Sequence, residues 1–289
     1  MSASPARLSS LQNILWNLNT FCVCPELSFC IALASVDIVS LVPSWTETLI
    51  WANLKVVGRT RYCIHPKDLV QKIRIVGGTK KIDYKLLAEL KPDYLVLDKE
   101  ENSKEIAEKS SAPFLATHIT HLTDLSTELK KMAETFGSEK LLELAGRWHQ
   151  VAEKKSASFQ DRAMEEFPGL IQWVHTPDDG FVPRKVVYVV WRNPWMCIRS
   201  NTFIGSVLQH FGFEIWEPKT NQSSRYPEFH LEEALKEGAC ILLSSEPYDF
   251  LKKKVEVEFP RASVALVDGE NFSWFGLRSL EFLEGQMKF

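Results

Sequence analysis

One uninterrupted helical period in the middle of the chain constrains the fold more than any other feature. Ser138 is a good N-cap, and apolar residues then fall at Leu141, Leu144, Ala145, Trp148, Val151, Ala152, Phe159 and Ala163. That is the spacing of one buried helix face. Pro168-Gly169 stops the pattern, so the predicted helix runs over 138–166. At roughly 1.5 Å per residue, about 29 residues span about 43 Å, the length of a whole small domain. Such a helix fits two architectures, a backbone joining two lobes or one long helix inside a single domain.

On both sides of it, short β-rich runs alternate with longer helical ones, the pattern of an α/β fold. Before it, Asp37–Val42, Val56-Val57, Tyr94–Asp98 and Pro113–Thr117 read as strands, and Trp45–Asn53 and Leu122–Phe136 as helices. After it, Lys185–Trp191, Ala239–Ser245 and Ala262–Val267 read as strands and Thr202–Phe211 as a helix. Gly169–Arg184 contains Pro177-Asp178-Asp179-Gly180 and reads as a surface loop or hairpin. The halves echo one another. Tyr84–Leu90 leads into the strand at Tyr94, and Leu231–Leu235 leads at the same spacing into the strand at Ile241. The expected organisation is an extension over 1–36, lobes over 37–137 and 168–289, and a linking helix over 138–167.

Composition narrows the function. The 289 residues are about two domains' worth, enough to bury a core without disulfides. A nucleic-acid groove needs a clustered excess of Lys and Arg, which 34 basic against 37 acidic residues do not supply. No purely apolar run reaches the roughly 18 residues of a spanning helix, so no membrane insertion is expected. Cys22, Cys24 and Cys30 crowd the start of the chain, while Cys63, Cys197 and Cys240 lie far apart. None has zinc-site spacing, and isolated thiols behave as small buried hydrophobes. In the first 36 residues, an apolar run ends in Ala32-Leu33-Ala34-Ser35, similar to a secretory cleavage site, but Pro25 and Glu26 interrupt it. A non-exported extension is expected, with cleavage near Ala34 as the alternative.

Catalytic and metal constellations are hard to build. There is no Gly-x-Ser-x-Gly elbow, His-Glu-x-x-His helix or Walker motif, and Val76-Gly77-Gly78-Thr79-Lys80 lacks phosphate-loop spacing. Glu47 sits where a carboxylate meets a helix dipole. His65 and His118 follow strands, whereas His149 and His210 fall in helical pattern. Solvated or structurally bonded histidines are expected, with no metal site and no enzyme. Cys63 and Cys197 are the thiols nearest any cleft that forms between the lobes.

An ordered set of motifs resembles a known family. Val39-Ser-Leu-Val-Pro-Ser-Trp-Thr-Glu-Thr-Leu49 is followed by Val57-Gly-Arg-Thr-Arg-Tyr62 with Pro66, Val76-Gly-Gly78, and Leu90-Lys-Pro-Asp-Tyr-Leu-Val-Leu97. The second half adds Val189-Val-Trp-Arg-Asn-Pro-Trp-Met196, Thr202-Phe-Ile204, Tyr226-Pro227, Ser244-Ser-Glu-Pro247 and Asp268-Gly-Glu270 with Ser273-Trp274. Over about residues 37–280 the chain resembles the cobalamin- and siderophore-type substrate-binding proteins of ABC importers, the helical-backbone metal receptors. It is most similar to their cobalamin-binding-like branch. The resemblance implies an α/β fold of two Rossmann-like lobes, joined by a single long helix, with a ligand in the interlobe cleft and little hinge closure.

It also implies a ligand. A corrinoid is broad, flat, partly apolar and edged with amides, so its cleft needs aromatic faces and a few polar groups. Aromatic residues follow strands here, where such a cleft lies: Trp45, Tyr62, Trp191 and Trp195 with Asn193, Tyr226, and Trp274-Phe275. Tyr62 and Tyr226 resemble positions that face the corrin from opposite lobes. The expected function is non-covalent corrinoid binding by a monomer, without a covalent cofactor. Ferric siderophore or haem is the alternative, which Arg59, Arg61, Arg192 and Arg199 keep open, as is a ligand-free intracellular interaction protein of this fold. Family members that dock on a permease present one carboxylate from each lobe. Glu232 matches one position, and Lys85 replaces the other. With the poor leader, this predicts a cytoplasmic protein that docks weakly, if at all, on an ABC permease.

Overall fold

The short Val, Ile and Leu runs on either side of the central helix form two separate sheets. A computed structural model describes residues 35–154, 164–177, 182–220, 222–252 and 262–286. The first half runs β1 (Asp37–Ser40), α1 (Pro43–Trp51), β2 (Lys55–Thr60), α2 (Lys67–Val70), β3 (Arg74–Gly77), α3 (Tyr84–Leu90), β4 (Tyr94–Asp98), α4 (Lys104–Lys109) and β5 (Phe114–Thr117). Its five strands lie in the order β3-β2-β1-β4-β5, all parallel. Ile38, Val39, Leu95 and Val96 are fully buried, as central parallel strands covered on both faces require. α5 (Leu122–Phe136) has the predicted bounds and stops at Gly137, whose φ of 62° is the left-handed helix cap.

The second half runs β6 (Leu170–His175), β7 (Lys185–Trp191), β8 (Met196–Cys197), α7 (Phe203–His210), β9 (Glu214–Ile215), α8 (Leu231–Lys236), β10 (Cys240–Ser244), β11 (Val264–Val267), α9 (Gly269–Ser273) and α10 (Leu277–Gln286). The strand order is β6-β11-β10-β7-β8, with β9 also on β7. β7, β10 and β11 are parallel, while β6 and β8 run antiparallel at the margins. The trio β7-β10-β11 stands in the order of β1-β4-β5, and α8 leads into β10 as α3 leads into β4. The internal echo in the sequence is therefore a repeat of topology.

Two expectations need correction. The segment 169–184, read as a loop or hairpin, contains β6. As an edge strand it is half-exposed along its length, so it lacks the apolar alternation that marks a strand; residues 178–181 lie outside the described ones. The second concerns the central helix. α6 (Glu139–Glu153) starts at Ser138, whose side chain accepts from the Leu141 amide, but it ends at Lys154, whose ψ is 124°. A short 3-10 turn occupies Met164–Glu166, and 155–163 lie outside the described residues. Between Ala152 and Phe159 the apolar stripe lapses to Ala157 alone, so the helix loses its buried face where it stops.

The two sheets share one hydrophobic core, and Val36–Phe289 holds together as one unit. Trp45 meets Phe275 edge-on at 5.0 Å, Phe275 meets Phe203 at 5.8 Å, and Phe203 meets Trp148 at 6.2 Å. Polar bonds pin this seam. Trp148 Nε1 donates to the Gly276 carbonyl at 2.7 Å, and the Leu277 amide donates to Thr48 Oγ1 at 3.1 Å. Gly276 has a φ of 94°, and a Cβ there meets Thr48 and the Trp45 ring, so both strain and space demand glycine. Arg278 forks onto Glu47 at 3.0 and 2.5 Å, and Arg147 forks onto Glu284 at 3.1 and 2.6 Å. Glu47, the fifth residue of α1, lies past the first turn where a carboxylate meets the dipole, and it serves this ion pair instead.

Candidate functional site

In both sheets the parallel strands send their C-terminal ends toward loops, and in such folds the crevice lies outside those ends. The first half contributes the loops after β2 and β4. The second contributes those after β7, β9, β10 and β11. Two polar clusters on these loops bridge the halves.

The first is centred on Glu100, two residues past β4. Its amide donates to Asp98 Oδ1 at 2.8 Å, and its carbonyl accepts from Lys80 Nζ at 2.8 Å, which fixes the residue. Its carboxylate pairs with the guanidinium of Arg225, from the loop between β9 and α8. The Tyr226 hydroxyl donates to the other carboxylate oxygen at 3.5 Å, and His118 Nε2 stands 3.6 Å from Glu100. Burial, then the Glu100 charge, pushes the Tyr226 phenol well above its ordinary value, so it remains a hydroxyl. Asp98 and Glu101 lie beside it, and burial pushes both carboxyls up.

The second cluster joins His65, after β2, to Glu270 of α9 at 3.0 Å. Arg278 reaches Glu270 at 3.2 Å. Trp274 lies edge-on to His65 at 5.2 Å and beneath the Arg278 guanidinium at 5.4 Å. Behind it, Ser273 Oγ donates to Glu246 at 2.5 Å. Burial, and next the Glu270 and Asp268 charges, push the Glu246 carboxyl up to about 7 against the opposing Ser273 bond. Gly269 permits this packing, since a Cβ there falls 2.7 Å from Glu246 Cγ.

The loops after β7 and β10 carry an aromatic group. Trp191, 42% exposed, meets Tyr248 at 5.3 Å, and Tyr248 meets Phe250 at 4.5 Å. Phe250 stacks with Trp195 at 6.1 Å, and Arg192 lies over Trp195 at 5.6 Å. Asn193, exposed with a φ of 64°, turns the loop between the two tryptophans.

The expected site residues therefore separate. Tyr226 and Trp274 stand in the cross-lobe clusters, Trp191, Asn193 and Trp195 in the aromatic loop group, and Tyr62 is 54% exposed after β2. Trp45 and Phe275 do not join them. Trp45 is fully buried and donates to Thr117 Oγ1 at 2.9 Å, and Phe275 packs on it. Both rings belong to the shared core, whereas Trp274, also buried at 6%, packs on the polar His65 and Arg278. Sequence reasoning missed Glu100, Arg225, Glu270, Tyr248 and Phe250. The aromatic pair carried a signal, since it follows Pro247 in a strand-end loop as Tyr226 precedes Pro227. The charged partners became visible only once the topology set the halves side by side.

Charges and thiols are mostly committed. Arg59 is buried and donates to the Val70 and Thr60 carbonyls at 2.6 and 3.0 Å; Arg199 pairs with Glu217 at 2.7 Å. Both hold loops. Burial pushes the Cys197 thiol up to about 12 and also raises Cys63 and Cys240, which leaves them protonated at neutral pH. Among the described residues no group of three His, Cys, Asp or Glu side chains is placed to hold a metal ion. Nor is any described helix long and apolar enough to cross a membrane. Lys85 and Glu232 are both exposed and hold the same place, the second residue of α3 and of α8.

No family model and no curated protein matches the chain. Solved structures do share its fold. The periplasmic vitamin B12 binding protein BtuF of Vibrio cholerae aligns at a TM-score of 0.62 and 16% identity, covering 87% of this chain and 94% of that one. The periplasmic heme-binding protein RhuT of Roseiflexus sp. RS-1 aligns at 0.63 and 14%, covering 88% and 97%. The periplasmic catecholate-siderophore binding protein VctP of Vibrio cholerae aligns at 0.64 and 14%, covering 87% and 92%. The two-lobed α/β fold of such binding proteins is thus the fold of this chain. The expectation of a cytoplasmic protein is overturned by the same likeness, since these neighbours are periplasmic. It rested on Lys85 and on the interrupted leader, which lies outside the described residues.

Proposed function

We propose that the chain binds a flat, largely uncharged ligand of the corrinoid type, non-covalently, between its two halves. The observation that carries this reading is the aromatic group Trp191, Tyr248 and Trp195 at the strand ends, backed by the buried ring of Phe250. A partly apolar macrocycle gains most from such faces. Tyr62, Asn193, Tyr226 and Trp274 complete the proposed contact set. Four arginines support a ligand without much charge: Arg225 and Arg278 already face carboxylates, and Arg59 and Arg199 hold loops. Arg192 lies over the Trp195 ring, and Arg61, exposed after β2, is a positive charge that an anionic siderophore could meet. Structural neighbours that bind vitamin B12, heme or siderophore leave all three classes in the comparison. The buried, protonated thiols support binding rather than nucleophilic catalysis.

Titration calorimetry with cyanocobalamin and dicyanocobinamide tests the reading, with hemin and a ferric catecholate as the other arms. Saturable heat and retained red colour are expected for the corrinoids. Binding of hemin or the catecholate alone transfers the site to that class, and no binding at about tens of micromolar, a free energy weaker than about −6 kcal/mol, removes it. For delivery to a permease, the matched places of Lys85 and Glu232 ask for a partner acidic opposite the first half and basic opposite the second.

A further inference from the structure

We propose that Glu100 and Arg225 together read the edge of the bound ligand and select carboxamides over carboxylates. This rests on the corrinoid reading and adds the residues that set its specificity. The pair spans the halves, Glu100 from the end of β4 and Arg225 from the loop before α8, so a ligand seated there lies against it or parts it. A carboxylate only accepts hydrogen bonds and a guanidinium only donates them. Parting the two without replacement strands two partly desolvated charges.

A ligand edge that replaces the pair must therefore give Glu100 a donor and Arg225 an acceptor at once. A primary carboxamide carries both on one planar group, its NH2 for Glu100 and its carbonyl for Arg225. A carboxylate satisfies Arg225 but sets like charge against Glu100, and an ammonium does the reverse. The surroundings sharpen the bias against anions. Asp98 and Glu101 stand beside Glu100, against the single ammonium of Lys80, which holds the Glu100 carbonyl with one of its three donors. Tyr226, kept protonated, supplies a hydroxyl that can turn from Glu100 to the ligand. His118 Nε2, 3.4 Å from Arg225, lines the same edge.

The test uses two corrins with the same cobalt macrocycle, dicyanocobinamide with amide edges and dicyanocobyrinic acid with carboxylate edges. The wild-type chain is expected to bind the amide form at least about tenfold more tightly, as a site with a matched donor and acceptor rejects a like-charged analogue. Glu100→Gln removes the repulsion and is expected to shrink the ratio to below about threefold. Arg225→Ala weakens both and widens the ratio, because the carboxylate form loses its one charge partner; it decides the matter if Glu100→Gln does not fold. Equal binding of the two corrins by the wild type, or a ratio unmoved in both variants, overturns the inference and leaves corrinoid binding standing. Absence of binding by either corrin overturns both.

Discussion

The seam between the halves has two ends built from the same kinds of residue to opposite purposes. At the core end, Trp45, Trp148, Phe203 and Phe275 interlock with little or no exposure, and Arg278 forks onto Glu47. At the cleft end, Trp191, Tyr248 and Trp195 line a loop with Trp191 well exposed, and Arg225 meets Glu100 beside a phenol and an imidazole. Aromatics and Arg–Glu pairs occur at both. What separates them most is the rings: those of the core are closed to solvent and fix the geometry of the lobes, whereas Trp191 is open to it, as the proposed exchange for a ligand requires.

The strongest way to break this contrast is to remove a core ring. Trp148→Ala deletes a fully buried side chain and its bond to the Gly276 carbonyl, and a loss of about 3–5 kcal/mol is expected. A urea titration reads it as a lower midpoint. Trp191→Ala is expected to change the midpoint by less than about 1 kcal/mol while weakening corrinoid binding. Equal losses from the two would erase the distinction between the ends. Next in size is Gly276→Ala. Its φ of 94° and the crowding by Thr48 and Trp45 combine strain with overpacking, for an expected loss of about 2–3 kcal/mol.

Much of the core end was legible in the sequence, and little of the cleft end. The bounds of α5 and β7 followed from apolar period and capping, because burial acts on each residue of a regular element. The same logic overextended the central helix past Glu153, since Phe159 and Ala163 continue the period in number while the stripe between them and Ala152 holds only Ala157. It also misassigned Trp45, because a tryptophan after a strand looks alike whether it turns inward to Thr117 or outward to a ligand. Glu100, Arg225, Glu270 and His65 were beyond reach for another reason. Their partners lie 125 and 205 residues away in sequence, and pairing at that separation is a property of topology that no local pattern encodes.

The cleft end should also respond to pH through Glu246. Its carboxyl is pushed up to about 7 from the usual 4.5, mainly by burial. Between those values the folded protein holds a proton that the unfolded chain has lost, so stability falls as pH rises through that window and stays lower above it. Glu246→Gln removes the ionisation. It is expected to gain about 2 kcal/mol relative to wild type at pH 8 over its gain at pH 5, given about 1.4 kcal/mol per unit and some discount for residual solvent. Urea midpoints at both pH values check it. A constant difference between the two proteins would show that Glu246 ionises normally.

The smallest effect compares the two Arg–Glu pairs directly. Glu47–Arg278 makes two bonds with the Glu47 side chain 13% and Arg278 25% exposed, whereas Glu100–Arg225 makes one, at 28% and 29%; the drier partner is Glu47. Coulomb attraction is screened less in the drier place, and a planar fork gives up less freedom than a single contact. Double-mutant cycles with Gln at each position are expected to give a coupling of about 1–2 kcal/mol for the first pair and below about 1 kcal/mol for the second. Raising the salt from about 0.05 to 0.5 M shortens the Debye length severalfold. It should erase most of the cleft coupling and little of the core one. A cleft pair as strong and as salt-resistant as the core pair would resist parting by a ligand, and would then serve to hold the halves together rather than to read what enters between them.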